Sequence, residues 1–487
     1  MKNHCYITTA IPYVNAKPHV GFASELVLAD FLARSNKRKG REVRFQTGTD
    51  ENALKNVEAA QAAGISPQDW VDAKAGEFRT FAEALQIDFN RFLRTTESAH
   101  ASAVKAFWHA LRPEDIYEAP YRALYCTGCE DFLFEKDLAG GVCPDHGKAP
   151  EMVEESNYFF RLTSYQSVIE EWLTSGRVRI LPEKRGNEIL SFVRGGLRDI
   201  SISRPASRAK GWGIPVPEDS SQVVYVWIDA LVNYIAGVGY PGENALREWW
   251  NPNVEKTHVI GRNVWKFHAV YWPALLLSAG LPLPDELVIH GFLTAEGRKI
   301  SKSLGNAPSP GPLIDRFGSD AVRYYLLRLG NPFEDGDFSE RTFAAVYESD
   351  LVNGLGNLVS RILSLAVKSG IVQVNRDQSP SLDREFDEAC ENCRPDEALA
   401  ILWKRIATIN RSIEEAKPWE LLRRGSVTEA AAIVNHWLVQ LKALTADLEP
   451  FLPETAGRIT AALGKEPLNT IPPLFPRLHA EREKPLA

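Results

Sequence analysis

The stretch "HCYITTAIPYVN", residues 4–15, is the part of the chain from which the fold can be argued. It is rich in β-branched and apolar residues and is ended by Pro12 and Asn15, which is typical of a buried strand that leads into a loop. Residues 23–40 then show helical spacing, and residues 42–50, "EVRFQTGTD", have the pattern of a second strand that ends in a polar loop. Strand, helix and strand joined by short polar loops predict a parallel, doubly wound α/β sheet, which binds ligands at the carboxyl ends of its strands.

Farther along the chain this pattern is interrupted and then returns. Residues 117–217 contain clustered cysteines and a basic segment, so we expect an insertion there. The apolar runs at 222–235, 256–280 and 286–294 are expected to supply further strands. Beyond Arg341 apolar residues recur at i, i+3 and i+4 in three long runs, which predicts a helical bundle. The sequence therefore predicts four parts, in chain order 1–116, 117–217, 218–341 and 342–487.

The composition is that of a globular protein, with 44% hydrophobic and 24% charged residues among 487. This length predicts two to four domains. No apolar run is long enough to span a membrane, and the N-terminus has no signal-peptide pattern, so a cytoplasmic location is expected. The net charge of −7 argues against a surface uniformly coated to bind nucleic acid. Residues 183–210 nevertheless carry seven basic and three acidic residues, a net +4, for which a solvated helix face is the simpler explanation.

Two short pairs of metal-ligand residues, separated by thirteen residues, have the spacing of a zinc site. They are Cys126, Cys129, Cys143 and His146. Four protein ligands would fill the tetrahedral coordination of Zn²⁺ and leave no position for water, so the zinc is expected to be structural. The pair Cys390 and Cys393 has no second pair nearby and is expected to pack within a helix instead.

The segment "GRKISKSLGN", residues 297–306, concentrates lysines and serines between glycines. Taken alone, it is explained at least as well by a solvated surface turn as by a loop that closes over nucleotide phosphates. Lysine is a compact point charge with three donors, which suits it to neutralise phosphate charge during a reaction. Two other polar loops, "PHVGF" at 18–22 and "TGTDE" at 47–51, also fall at predicted strand ends.

Taken together, these motifs resemble the class I aminoacyl-tRNA synthetases, and most closely the methionyl-tRNA synthetase family, over nearly the whole chain. The ordered set is specific although each member alone is weak; it comprises "AIPYVNAKPHVG", the Cys3His insertion, "YVWIDALVNY", "HVIGRNVWKFHAVYWPALL" and "KISKSLGN". The resemblance implies a Rossmann-like catalytic domain divided between 1–116 and 218–341. It also implies a zinc-knuckle connective domain at 117–217 and an all-α anticodon-binding domain at 342–487.

The resemblance implies a ligase that uses ATP, with Mg²⁺, to form methionyl-adenylate and then charges tRNA(Met). His19 and Gly21 match the HIGH-type signature, where the imidazole and a helix N-terminus would stabilise the ATP phosphates and the glycine would let the nucleotide approach. Lys299, Lys302 and Ser303 match the KMSKS-type loop, whose lysines would neutralise the leaving pyrophosphate. Without that loop, His19 would be better explained as a satisfied buried side chain.

A largely apolar and aromatic pocket would select methionine, since a thioether is polarizable and suits aromatic faces. The positions that match the family pocket are Ile11, Tyr13, Asp50, Trp227, Ala230, Leu231, Tyr234, Val264 and His268. Asp50 would face the substrate ammonium. For Trp227 and Tyr234, core packing is the default explanation from periodicity alone.

The helical tail carries three residues that match the family positions reading the CAU anticodon. Asn357 and Arg361 are spaced i, i+4 and therefore share one helix face, and Trp419 offers a flat ring on which a base can stack. A capping Asn, a surface Arg and a core Trp explain these residues at least as well from the sequence alone.

Three departures from the family pattern keep other functions open. Phe22 replaces a polar residue in the HIGH-type signature, Asn52-Ala53 replace His-Gly after "TDE", and Asn263 replaces an Asp. One alternative is a paralogue that forms another aminoacyl-adenylate or uses another acceptor; a second is a catalytically silent tRNA-binding protein. The chain ends soon after the helical tail, and we expect a monomer.

Overall fold

The computed structural model describes residues 2–126, 128, 131–133, 135, 138–144, 147–299, 310–374 and 383–477. The strands in these residues are, in chain order, β1 His4–Thr9, β2 Glu42–Thr49, β3 Arg91–Arg94, β4 Ile116–Cys126, β5 Asp131–Leu133, β6 Glu151–Phe160, β7 Arg179–Leu181, β8 Ile200–Ser201, β9 Ser203–Pro205, β10 Pro215–Val216, β11 Asp219–Val224, β12 Val254–Gly261, β13 Glu286–His290, β14 Leu293–Ala295, β15 Arg298–Lys299 and β16 Gly336–Phe338.

Helices and strands are interspersed up to Phe338, and beyond it the described elements are all helical. They are α1 Val20–Arg38, α2 Leu54–Ala63, α3 Pro67–Ala84, α4 Ser98–Ala110, α5 Gln166–Thr174, α6 Glu183–Arg194, α7 Val226–Ala236, α8 Glu243–Trp249, α9 Trp272–Ser278, α10 Pro310–Phe317, α11 Ser319–Arg328, α12 Glu340–Val346, α13 Asn357–Lys368, α14 Arg384–Glu391, α15 Pro395–Ala416, α16 Pro418–Arg423, α17 Val427–Leu448 and α18 Pro453–Leu463. Short 3₁₀ turns occur at Pro113–Asp115 and Leu162–Tyr165, and π-helical turns at Phe267–Tyr271 and Tyr347–Gly356.

The first of two compact units comprises Met1–Pro18, Glu42–Phe81 and Phe89–His290. Its central sheet has the strand order β3-β2-β1-β12-β13-β7, and every neighbouring pair is parallel. The parallel α/β sheet predicted from the sequence is therefore confirmed. Strand β1 lies between β2 and β12 in this sheet. Because the chain runs from β1 to β2 on one side while β12 flanks β1 on the other, the carboxyl ends of β1 and β12 border the crevice in which such sheets bind ligands.

The core of this unit is aromatic. Tyr6 of β1, Phe107 of α4, Tyr234 of α7 and Trp272 of α9 are all buried in one cluster. Because both faces of β1 are covered, the strand has an almost uninterrupted buried pattern, as expected for a parallel sheet.

One prediction about this unit was wrong in part. The run 222–235, expected to be a strand, is a strand only to Val224 and then forms α7. Nearly every residue of α7 is buried, so its apolar run has no polar face by which periodicity could distinguish it from a strand. The range 117–217, predicted to form one part of the chain, includes β7, which pairs with β13 in the central sheet. The smaller sheets β5-β4-β6-β8 and β10-β11-β9 are antiparallel.

The second unit comprises His19–Arg41, Ala82–Asp88 and Gly291–Ala487, as far as they are described. The three long helical runs predicted beyond Arg341 are confirmed as α13, α15 and α17. The helix of the second run ends at Lys417, which has φ +44° and precedes Pro418, and a new helix, α16, then begins. Across the described ranges we find no helix with both the length and the apolarity needed to traverse a bilayer.

A buried ionic cluster ties α1 to other helices of the second unit. The Asp30 Oδ2 atom lies 2.7 Å from Arg34 Nε and 2.6 Å from Arg323 Nη2, and Asp30 and Arg323 are fully buried. Arg323 also donates to the carbonyl oxygens of Leu85 and Phe451, at 3.1 and 3.2 Å. The charge of Arg323 is thus compensated by a carboxylate and its remaining donors by backbone carbonyls, as a buried guanidinium requires.

Candidate active site

The residues after β1 and β2 in the first unit lie against each other. The Asp50 N–H, directly after β2, donates to the Pro12 carbonyl at 2.9 Å, and Asp50 pairs with Tyr13 as in a parallel bridge. Asp50 is buried, its carbonyl accepts from Asn56 Nδ2 at 3.1 Å, and Ile11 is half-buried. The backbone therefore holds the predicted carboxylate beside the loop that follows β1.

An aromatic wall extends from this loop to α7. The Tyr13 and Trp227 rings meet edge to face at 5.9 Å, and Trp227 stacks on Phe267 with 3.9 Å between centroids and 9° between planes. The ammonium of Lys55 lies 4.3 Å from the centroid of the Tyr13 ring. Tyr13 and Trp227, predicted to line the pocket, are thus brought together, and Trp227 remains half-buried.

Three more predicted pocket residues meet where α7 faces the turn 264–268. The Tyr234 hydroxyl lies 2.6 Å from His268 Nε2, and His268 Nδ1 lies 2.9 Å from the Val264 carbonyl. A carbonyl only accepts, so Nδ1 carries the ring proton and Nε2 accepts from Tyr234. Burial lowers the pKa of His268 to about 4, which keeps the ring neutral at pH 7. Ala230 and Leu231 are buried on the same helix.

A second histidine lies behind this pair and was missed from the sequence. The His258 ring lies 4.1 Å from the Tyr234 ring, and its Nδ1 is 2.6 Å from Thr8 Oγ1. Burial lowers the pKa of His258 well below its usual value. A histidine within the apolar run of a predicted buried strand was the available signal. It contributes a polar, uncharged surface behind Tyr234.

An arginine in an aromatic cleft of the first unit was also missed, because the sequence placed it in the solvated basic segment. Arg204 is only 6% exposed; its guanidinium lies 4.1 Å from the Tyr225 centroid and 4.3 Å from that of Phe132. Its Nε and Nη2 atoms have no hydrogen-bond partner among the described residues. The cleft is also lined by Asn52 and Trp212, so an anionic group entering it would find unused donors.

In the second unit, His19 and Gly21 form the start of α1. His19 is the N-cap, and its Nδ1 accepts from the Gly21 N–H at 3.1 Å, which leaves Nε2 as the donor of a neutral ring. A Cβ at position 21 would lie 3.0 Å from His19 Cε1. The glycine therefore makes room for the imidazole, a role not foreseen from the sequence. Phe22, the departure in this signature, is buried.

The strands that lead to the lysine-rich loop are held by one carboxylate. The backbone of Lys299 pairs with Thr294 in the hairpin of β14 and β15. Asp337 Oδ1 accepts from Thr294 Oγ1 at 2.6 Å and from the Gly297 N–H at 2.8 Å. Lys302 and Ser303 lie outside the described residues.

The predicted metal ligands are described only in part. Cys126 and Cys143 are buried, and Cys143 begins a tight turn in which its carbonyl accepts from the Gly147 N–H at 2.8 Å. Cys129 and His146 lie outside the described residues. Within the ranges that are described, no three metal-ligating side chains form a cluster. Two buried cysteines, one of them in a tight turn, fit half of a Cys3His site.

The three predicted anticodon contacts lie on the helical bundle. Asn357 is exposed at the start of α13, and Arg361, one turn later, pairs with Glu414 of α15 at 2.7 Å. Trp419 is half-buried on α16, which contacts α13. Cys390 is buried within α14, where burial raises the pKa of its thiol to about 12, so the predicted helix packing is confirmed for this residue. For Cys393 it is wrong, because this buried residue lies in the turn after the helix and has φ +52°.

Comparison with known proteins agrees with this geometry. The family described as "tRNA synthetases class I (M)" matches residues 5–149 and 136–363. The methionine–tRNA ligase of Fusobacterium nucleatum is 36% identical over 99% of this chain and 81% of its own length; that of Thermosynechococcus vestitus is 37% identical over 95% and 90%. Among solved structures, Mycobacterium tuberculosis methionyl-tRNA synthetase in complex with methionyl-adenylate is 34% identical, with a TM-score of 0.88 over 98% of this chain and 100% of that one. Its apo form gives a TM-score of 0.81 at 32% identity, over 98% and 99% of the two chains.

Proposed function

This chain belongs to the methionyl-tRNA synthetases of class I, and we propose that it activates methionine with ATP and transfers the methionyl group to tRNA(Met). The methionine carboxylate attacks the α-phosphorus of ATP, giving methionyl-adenylate and pyrophosphate. The terminal adenosine of the tRNA then takes the methionyl group and releases AMP. The observation that carries this proposal is the full-length similarity to a synthetase solved with methionyl-adenylate.

We assign the amino-acid pocket to the residues around His268. Tyr234 and the Val264 carbonyl hold the neutral imidazole of His268 in one orientation. The pocket therefore presents a polar group without a charge, which suits a thioether better than a charged pocket side chain, an ammonium or a carboxylate, would. The stacked Trp227 supplies a flat apolar wall. Asp50, which is buried beside Tyr13, is the proposed partner of the substrate ammonium.

We assign the ATP phosphates to the start of α1 and to the lysine-rich loop. Because Nδ1 of His19 accepts from the Gly21 N–H, the proton of a neutral ring lies on Nε2, the atom that would donate to a phosphate oxygen. The N-terminus of a 19-residue helix also favours negative charge. Lys299, Lys302 and Ser303 would hold the leaving pyrophosphate. Mg²⁺ is expected to accompany the ATP, where it neutralises phosphate charge.

The remaining assignments follow from the sequence and the family. We propose a structural Zn²⁺ held by Cys126, Cys129, Cys143 and His146; release of one zinc per chain on thiol modification, read with a chromogenic chelator, would test it. We propose the division 1–116, 117–217, 218–341 and 342–487, with the last part reading the anticodon through Asn357, Arg361 and Trp419. That the enzyme is cytoplasmic and monomeric remains a prediction. A stable dimer in sedimentation would refute the predicted monomeric state.

ATP–pyrophosphate exchange with each of the twenty amino acids tests the proposed activity, with Lys302→Ala run beside the native protein. Exchange with methionine alone, lost in the variant, is the expected result. Exchange with a different amino acid would instead identify a paralogue. No exchange with any amino acid, together with tRNA binding, would identify a silent tRNA-binding protein.

A further inference from the structure

A buried carboxylate on α7 is held by two side chains from outside that helix. Asp229 is 1% exposed. Its Oδ2 accepts from Asn52 Nδ2 at 2.7 Å, and its Oδ1 lies 2.6 Å from Nε2 of the buried His100 on α4. Asn52 Nδ2 also lies 3.2 Å from the Thr95 carbonyl. Three segments of the first unit therefore meet at this single carboxylate.

The hydrogen bond between His100 and Asp229 has a defined direction. A carboxylate accepts, so Nε2 carries a proton and donates to Asp229. His100 Nδ1 is buried and has no hydrogen-bond partner in the described part of the chain. Asp229 thus receives one donor from each side.

The same helix carries four of the nine residues predicted to line the amino-acid pocket. Trp227, Ala230, Leu231 and Tyr234 lie on α7 together with Asp229. Farther along this helix, Gln46 Nε2 of β2 donates to Asn233 Oδ1 at 2.8 Å. The helix is consequently fixed by buried polar contacts near both of its ends, and these contacts determine how far it lies from β2 and α4.

We propose that Asn52, acting through Asp229 and together with His100, positions α7 and thereby sets the fit of the amino-acid pocket. These three are positioning residues, and the proposal rests on the function proposed above. A buried carboxylate that loses one of two donors must seek water or another partner, which displaces the helix that carries it. Small displacements of groups that orient a substrate are costly to binding and rate.

Asn52 is also one of the three positions at which the sequence departs from its family, where His is usual. The structure gives this departure a physical meaning: the Asn amide still donates to the buried carboxylate, and the imidazole in the network is contributed by His100 of α4.

The test measures KM for methionine and KM for ATP in pyrophosphate exchange. Asn52→Ala is expected to raise KM for methionine by about tenfold, the effect of losing a hydrogen bond to a charged group, and to change KM for ATP by less than about twofold. The matched control is Asn251→Ala, which removes an Asn that donates to the Arg247 carbonyl at 2.7 Å, away from the assigned pocket residues. It should leave both KM values unchanged.

Because Asn52 also lines the cleft beside Arg204, a direct contact with methionine must be separated from positioning. Asp229→Ala removes the acceptor of the Asn52 amide. If Asn52 acts through Asp229, adding Asn52→Ala to Asp229→Ala raises KM no further. An additional tenfold rise in the double variant would assign Asn52 to a direct substrate contact and overturn the proposal.

His100 supplies a second route should Asp229→Ala fail to fold. His100 is fully buried, and His100→Gln retains an N–H donor that His100→Ala lacks. The proposal is supported if KM for methionine rises in His100→Ala and returns to the native value in His100→Gln. Equal rises in both variants, or equal changes in KM for methionine and for ATP, would overturn it. If the native protein gives no methionine-dependent exchange, the proposed function fails instead.

Discussion

Replacing Gly21 by Ala separates the stability of α1 from the chemistry at its N-terminus. Alanine favours a helix over glycine by up to about 1 kcal/mol, so on propensity alone the variant is stabilised. The added Cβ, however, would lie 3.0 Å from His19 Cε1 and 3.1 Å from His19 Nδ1, closer than ordinary contacts allow. The imidazole must therefore shift by a few tenths of an ångström, which displaces the ring and lengthens the hydrogen bond from the Gly21 N–H to His19 Nδ1.

The expected loss of activity follows from what that ring is proposed to do. A hydrogen bond to a charged phosphate contributes about 1.5–3 kcal/mol, which corresponds to roughly a 10- to 100-fold loss in the exchange rate when His19 is displaced. The thermal midpoint of Gly21→Ala should at the same time stay equal to that of the native protein or rise. A fall in activity without a fall in stability is the distinctive result.

The assay is methionine-dependent ATP–pyrophosphate exchange, with thermal unfolding measured on the same samples. Gly457→Ala, also within a helix of the second unit but with nothing near its Cβ, is the matched control and should keep full activity. His19→Ala should cost at least as much as Gly21→Ala, and the double variant should lose no more than His19→Ala alone. An exchange rate in Gly21→Ala within twofold of native, or a loss that adds to that of His19→Ala, would refute this reasoning.

Three further predictions concern other parts of the chain. The pKa of His268 is about 4 in the folded protein and 6.5 in the unfolded chain, so the unfolded state gains a proton first as the pH falls. Between pH 7.5 and pH 5 the unfolding free energy of the native protein should therefore fall by about 2 kcal/mol more than that of His268→Gln, as measured by urea denaturation. Trp419→Ala should reduce tRNA charging by about 10- to 100-fold while leaving pyrophosphate exchange unchanged, since stacking of a base contributes about 1–3 kcal/mol. Asp30→Asn leaves the Arg323 charge buried without its carboxylate and should destabilise the protein by about 3–5 kcal/mol, read as a lower thermal midpoint.

Each of these has its own control. Equal pH dependence in the native protein and His268→Gln would contradict the first. Trp419→Phe retains a stacking face and should keep most of the charging activity, whereas equal loss of exchange and charging in Trp419→Ala would indicate a misfolded bundle. Glu388→Gln removes an exposed ion pair with Arg384 and should leave the thermal midpoint unchanged; an unchanged midpoint in Asp30→Asn as well would contradict the third.

Local patterns were sufficient for the elements whose periodicity differs on two faces or whose ends carry turn residues. The strand at 4–9, the helix that follows it, and α13, α15 and α17 were predictable for this reason. Helix α7 was not, because it is buried almost all round and its apolar run fits either structure. The return of β7 to the parallel sheet depends on pairing with β13, more than a hundred residues later, which no local pattern encodes.

The site divides in the same way. The resemblance to the family selected Tyr13, Asp50, Trp227, Tyr234 and His268. The fold brings Tyr13 against Asp50 and Trp227, and Tyr234 against His268. Family motifs give residue types, however, and not environments.

Arg204 shows the limit most clearly, since its sequence neighbourhood is basic and exposed whereas its guanidinium is buried among aromatic rings. In the Asn52–Asp229–His100 network, Asn52 lies 48 positions before His100 in the sequence, and His100 lies 129 positions before Asp229. Its existence follows only from the packing of α4 and α7.

The ionic cluster of α1 has a consequence for how the chain is made. Asp30 emerges from the ribosome early, but its partner Arg323 follows 293 residues later. At ordinary rates of synthesis, 5–20 residues per second, this delay is about 15–60 s. During that interval Asp30 has only Arg34 of its own helix as an ionic partner, and the apolar face of the helix lacks the bundle residues against which it later packs, while the parallel strands β1 to β3 are already synthesised. Ribosome-bound chains arrested before Arg323 should therefore be cleaved by protease within 20–38 and resist cleavage there once the bundle is complete.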